Sequence, residues 1–237
     1  LARRLVVVVG VCANRRFAGR DRVRPGDEDH PGLASAFARL ERAVYVDTAY
    51  HTLEHDTHEY QHYVTAGLPT SLYMTLNNTF TDVSWYGKGP EETYWDRKTG
   101  QKTGLYSGKI KDQFHRYSRP QETGNKTDVR WVEISSEDLK LKVLGSELLN
   151  TSVWPFNMKE IDFNSNDGAE SASGLVPVTT KHGADIELGN TIQWNIDFLQ
   201  MGVGGDTSWG RLVQPEYTIP SNKLYSYTFT IQPTRKD

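Results

Sequence analysis

The residues best suited to chemistry sit in a glycine-rich stretch, Met201-Gly202-Val203-Gly204-Gly205-Asp206-Thr207-Ser208-Trp209-Gly210, which directly follows a well-patterned strand. Glycines let a loop turn tightly and let other groups approach its backbone. Trp209 on such a loop is suited to stack against a flat apolar face, including the C–H face of a sugar ring. Asp206 and Ser208 add a carboxylate and a hydroxyl beside it. A tight hairpin whose Trp folds back onto the sheet fits the same residues.

A second group is His58-Glu59-Tyr60-Gln61-His62, which has the His-Glu-x-x-His spacing of zinc hydrolases. On a helix both imidazoles would share a face and Glu59 would act as base. The surrounding residues are polar, however, and no clear third ligand follows, so an exposed His-rich segment fits better. A third stretch, Trp85 to Lys98, packs aromatics, glycines and a proline around acidic and basic residues. It lacks the Gly-x-Gly-x-x-Gly pattern of nucleotide-binding loops.

The elements that must position these residues read as β. Ile192, Trp194, Ile196 and Phe198 alternate with Gln193, Asn195 and Asp197, which places the apolar set on one face of a strand. Tyr225, Tyr227, Phe229 and Ile231 alternate in the same way, as do Leu139, Leu141 and Val143. Gly, Pro, Asn and Asp clusters at 87–90, 164–168, 204–206 and 220–222 supply turns. Leu33 to Ala43 carries the only helical pattern, and Leu5 to Val11 reads as a strand or a weak signal segment. The expected fold is mostly β, a large antiparallel sandwich with one face of each strand buried.

Composition narrows the function classes. The formal charge of −3 offers no general attraction for nucleic acid or anionic membrane. The single cysteine, Cys12, permits neither an intrachain disulfide nor a Cys-based metal site. No apolar run approaches the ~20 residues of a membrane helix. Lysine is absent before Lys88, whereas arginine is dense near the start. That shift suggests an N-terminal segment over 1–70, of uncertain origin, ahead of a main domain over 71–237. The start at Leu1 suggests a processed or partial chain.

Three stretches, Trp85–Tyr106, Arg119–Trp131 and Trp194–Gly210, resemble the C-terminal, small-chain domain of family 2 β-galactosidases in order, spacing and rare residues. The resemblance covers about residues 71–235; Pro25, Asp27 and Asp29 resemble a degraded form of the domain's opening motif. It implies a galactose-mutarotase-like supersandwich that binds galactosides beside a separate barrel. That barrel holds the two glutamates of a retaining hydrolase. Nothing in this chain has the alternating βα pattern of a barrel. The resemblance assigns Trp209 to the active-site mouth, stacked on sugar, with Asp206 and Ser208 fixing the loop or binding hydroxyls. Arg97, Glu122 and His182, with Asn125 and Arg130, are further polar candidates, for which ion pairs and turn caps are the plainer roles. No catalytic residue and no metal ligand is expected here; the family's Mg and Na are bound mainly by other domains. Partners are galactosides, the enzyme's other domains and a possible second copy, in a bacterial cytoplasm or periplasm. An independent mutarotase-like epimerase remains the alternative; it needs an acid and a base converging from Glu122, His115 and His182.

Overall fold

The computed structural model describes residues 5–12, 71–118, 120–157, 160–161, 169–170, 177–178, 182–204, 213–219 and 224–236. The candidate helix at 33–43, the opening-motif residues Pro25, Asp27 and Asp29, and His58, Glu59 and His62 lie outside the described residues, as do Asp206, Ser208 and Trp209.

The described residues are mostly β. The strands are β1 (Leu5–Cys12), β2 (Ser71–Asn77), β3 (Asp82–Gly89), β4 (Lys102–Lys109), β5 (Lys126–Ser135), β6 (Leu139–Trp154), β7 (Ala169–Glu170), β8 (Pro177–Val178), β9 (Thr191–Asp197) and β10 (Leu224–Arg235). Eight of them form one antiparallel sheet, and β7 and β8 form a separate small pair. The alternating stretches identified in the sequence are β6, β9 and β10. The run at Leu5–Val11 is β1, which pairs with β10 along its length, so the sheet includes a strand from the first 70 residues.

β6 organises the sheet. One edge pairs with β5 from Lys140 to Thr151. The other edge pairs with β10 from Leu139 to Gly145, then with β9 from Asn150 to Trp154. Between these partners lies Ser146-Glu147-Leu148, which is exposed. Two arms therefore leave the same edge of β6: β10 with β1, and β9 with β2. Opposite this change of partner, β5 shifts register between Lys126 and Trp131. Such a shift bends a strand and increases its local twist.

Apolar side chains of both arms share one core. Trp194 and Ile196 of β9, Phe229 and Ile231 of β10, and Val143 of β6 are all buried in it. Tyr227 ties the arms together: its ring stacks on Phe198, and its hydroxyl donates 2.6 Å to the carbonyl of Ile196. Burial raises the pKa of that phenol, keeping it a donor.

The expectation of one buried face per strand fails at β9. Gln193, Asn195 and Asp197 are also buried. Their face is covered, and Gln193 and Asn195 are bonded within it. Asn195 Nδ2 donates 2.7 Å to Ser152 Oγ, and Gln193 Nε2 donates 2.9 Å to Asn195 Oδ1. Polar side chains are tolerated inside a fold when bonded in this way.

Phe229→Ala should destabilise the chain by about 3–5 kcal/mol, whereas Leu105→Ala, at a side chain 71% exposed, should stay within about 0.5 kcal/mol. Urea unfolding of both variants checks this; equal effects would contradict the assigned core.

Candidate functional site

The polar groups converge where β3 ends. The chain from Pro90 to Arg97 is laid against the start of β5 by a ladder of short contacts. Thr93 N donates 2.7 Å to Asn125 O, Asn125 Nδ2 donates 2.8 Å to Thr93 O, and Thr127 N donates 2.9 Å to Thr93 Oγ1. Lys126 Nζ donates 3.1 Å to Pro90 O and lies 4.9 Å from the Trp85 ring centroid. Burial lowers the Lys126 pKa to about 8, against the pull of Glu92 and Glu91. The segment then closes on itself, Tyr94 N to Arg97 O at 3.2 Å and Arg97 N to Tyr94 O at 2.9 Å.

Three acidic residues of this region meet three different environments. Glu92 is surrounded by donors: Gly124 N at 2.8 Å, Arg97 Nη1 at 3.2 Å, Thr123 Oγ1 and Tyr94 Oη at 3.4 Å, and the Tyr117 hydroxyl. Glu122 is 8% exposed, and its pKa is raised well above the usual carboxylate range, first by burial, then by Asp197 and Glu92. Asp96 faces the glycine-rich stretch and accepts from Val203 N at 3.1 Å and Gly204 N at 2.8 Å.

The sequence-derived candidates are thus distributed as follows. Arg97 stands at the rim, its side chain 60% exposed, paired to Glu92 and 3.4 Å from the Tyr117 hydroxyl. Glu122 and Asn125 are buried behind that rim. Arg130 is exposed, over the ring of Tyr86. His182 is exposed at the start of a short 3-10 turn, where its backbone N–H is held at 2.8 Å by Asp185. Arg116 ties that turn to the 115–117 segment through the carbonyls of Gly183 and Ile186.

Asp96 and Glu92 were not singled out from the sequence. Both lie within the aromatic and glycine-rich stretch from Trp85 to Lys98, which was the available signal. No local pattern reveals that Asp96 binds a backbone 107 residues away.

The carboxylates of Glu92 and Glu122 are largely enclosed by the protein. A retaining glycosidase presents two carboxyl groups to the sugar about 5 Å apart. Glu92 has a side chain only 10% exposed and is already bonded on all sides, and Glu122 is sealed off. Among the described residues no group of three or more His, Cys, Asp or Glu side chains is placed to hold a metal ion. No helix among the described residues is long and apolar enough to cross a membrane.

The family model described as beta galactosidase small chain matches residues 27–231. The chain belongs to the β-galactosidase small-chain family. Its relatives include a β-galactosidase of Priestia megaterium, 37% identical over 166 residues, and one of Lactobacillus delbrueckii subsp. bulgaricus, 36% identical over 165. Each alignment covers 68% of this chain and 14% of the relative. A β-galactosidase of Streptococcus thermophilus is 30% identical over 175 residues, 71% of this chain and 15% of that protein. The small-chain match begins well before residue 71, so family similarity extends into the N-terminal segment.

Glu122 also predicts a pH dependence. The unfolded chain releases this proton near 4.5, whereas the folded chain retains it to higher pH. Above 4.5 the unfolded state binds fewer protons than the folded one, so this group's contribution falls as pH rises. Glu122→Gln should flatten that part of the stability profile and raise stability at the alkaline end. Urea midpoints across pH 5 to 8, roughly the interval above the unfolded value, measure it; an unchanged slope would assign the effect elsewhere.

Proposed function

We propose that this chain is the carbohydrate-binding C-terminal domain of a retaining β-galactosidase, and that it completes the active-site mouth with Trp209. The observation that carries this reading is the fixed base of the glycine-rich loop, where two consecutive backbone N–H groups are held by Asp96. A stacking residue on a loop that is set beforehand binds sugar with a smaller ordering cost. An indole and the C–H face of a pyranose are both flat and apolar, which suits stacking.

In this reading Asp206 and Ser208 keep the loop in shape and reach sugar hydroxyls, and Arg97 belongs to the polar rim. Glu122 lies beneath as a buried acid whose pKa burial raises, and His182 caps a surface turn. The nucleophile and the acid/base residue of hydrolysis lie on a barrel outside this chain. The chain spans about 14% of the length of the two β-galactosidases named first above, in keeping with one wall of a larger active site. Galactosides such as lactose are the proposed substrates of the whole enzyme, and the Mg and Na it uses are held mainly by its other domains.

Trp209→Ala in the full-length enzyme should raise KM for a galactoside about 3- to 10-fold, the range expected for one aromatic contact, with an unaltered thermal midpoint. Steady-state kinetics and calorimetry together measure this. An unchanged KM and an unchanged inhibition constant for galactose would remove Trp209 from the site.

A further inference from the structure

Asp96 differs from the other acids of the cluster in what it holds. Glu92 organises its own neighbourhood, whereas Asp96 reaches across to a second loop. Its Oδ1 accepts from Val203 N and its Oδ2 from Gly204 N. Consecutive N–H groups converging on one carboxylate form a backbone nest, an anion-binding arrangement. Here the anion is supplied by the protein itself.

Everything around the contact fixes its geometry. Gly204 has φ of +68°, a left-handed conformation that other residues adopt at a cost. A Cβ on Gly202 would stand 2.5 Å from Asp96 Oδ2 and 2.9 Å from the Cβ of Tyr217. Gly202 N donates 2.9 Å to Tyr217 O, and Trp95 meets the edge of the Tyr217 ring at 6.0 Å. On the other side, Asp96 sits in the closed turn from Tyr94 to Arg97, which Thr93 binds to the sheet. A continuous set of short contacts therefore leads from β5 to the stem of the glycine-rich loop.

We propose that Asp96 is a positioning residue for sugar binding: its carboxylate sets the direction in which the loop leaves Gly204, and so where that loop presents its stacking side chain. This rests on the role proposed for Trp209. Asp96 touches no sugar in this account and acts through the loop alone.

Two measurements test it. In the chain itself, Asp96→Ala should speed amide hydrogen exchange at Val203 and Gly204 about tenfold or more, because both donors lose their acceptor. Unchanged exchange overturns the clamp whatever Trp209 does. In the full-length enzyme, Asp96→Ala should raise KM about as far as Trp209→Ala, and the double variant should match Trp209→Ala alone. Asp96→Asn, which keeps one acceptor oxygen, should fall between wild type and Asp96→Ala; it decides the matter if the alanine variant does not fold. A raised KM in Trp209→Ala with wild-type KM in the folded Asp96 variants overturns this inference alone. A wild-type KM in Trp209→Ala overturns the stacking role and the inference with it. Multiplying effects in the double variant would show that Asp96 acts by another route.

Discussion

The structure depends on β6 keeping one neighbour while exchanging the other. A strand has two edges, and its N–H and C=O groups alternate between them, so each half of β6 must find partners on both sides. β5 serves one edge of both halves; β10 and β9 divide the other. The exposed residues Ser146 to Leu148 mark the division, because there the strand has left β10 and not yet met β9. From that single exchange come the two arms, their shared apolar core and the covered polar bed beneath the loops. Tyr227 is the link that keeps the arms together, bonded to the backbone of one and part of the backbone of the other.

The loops at this end are organised by charge environment. Glu92, Glu122 and Asp96 come from two neighbouring stretches, yet their surroundings give them distinct tasks. Five donors keep Glu92 occupied as a hub for the 92–97 and 115–125 segments. Burial raises the Glu122 pKa and so favours its neutral form, which lowers the cost of placing it in a polar interior. Asp96 faces outward to a loop that would otherwise have unbonded N–H groups.

The strands were legible because apolar side chains recur every second residue in Thr191–Asp197, in Leu224–Arg235 and in the first half of β6. The second half of β6 was not, since Asn150, Thr151 and Ser152 are polar and buried. Their burial depends on β9 and on covering loops, and no local pattern encodes a cover. For the same reason Gln193, Asn195 and Asp197 read as solvent-facing. The family was legible from long motifs with rare residues, and the match over 27–231 agrees with it. Arg97 and Glu122 were found because they lie inside those motifs, although the difference between rim and interior was not visible in them. Asp96 shows the limit most clearly: its partners are backbone groups, which carry no residue identity to read.

β4 has an outer edge with no partner among the described residues. Such an edge is a template for a second strand, and its middle residue, Leu105, is largely exposed. Its composition works against that use. Lys102 and Lys109 stand at the two ends, and an antiparallel copy centred on the same strand would bring each lysine opposite the other's counterpart. Like charges facing across strands repel, and Gly104 and Gly108 weaken the strand as a pairing surface. The sheet thus carries at this margin its own deterrent to growing into a neighbour.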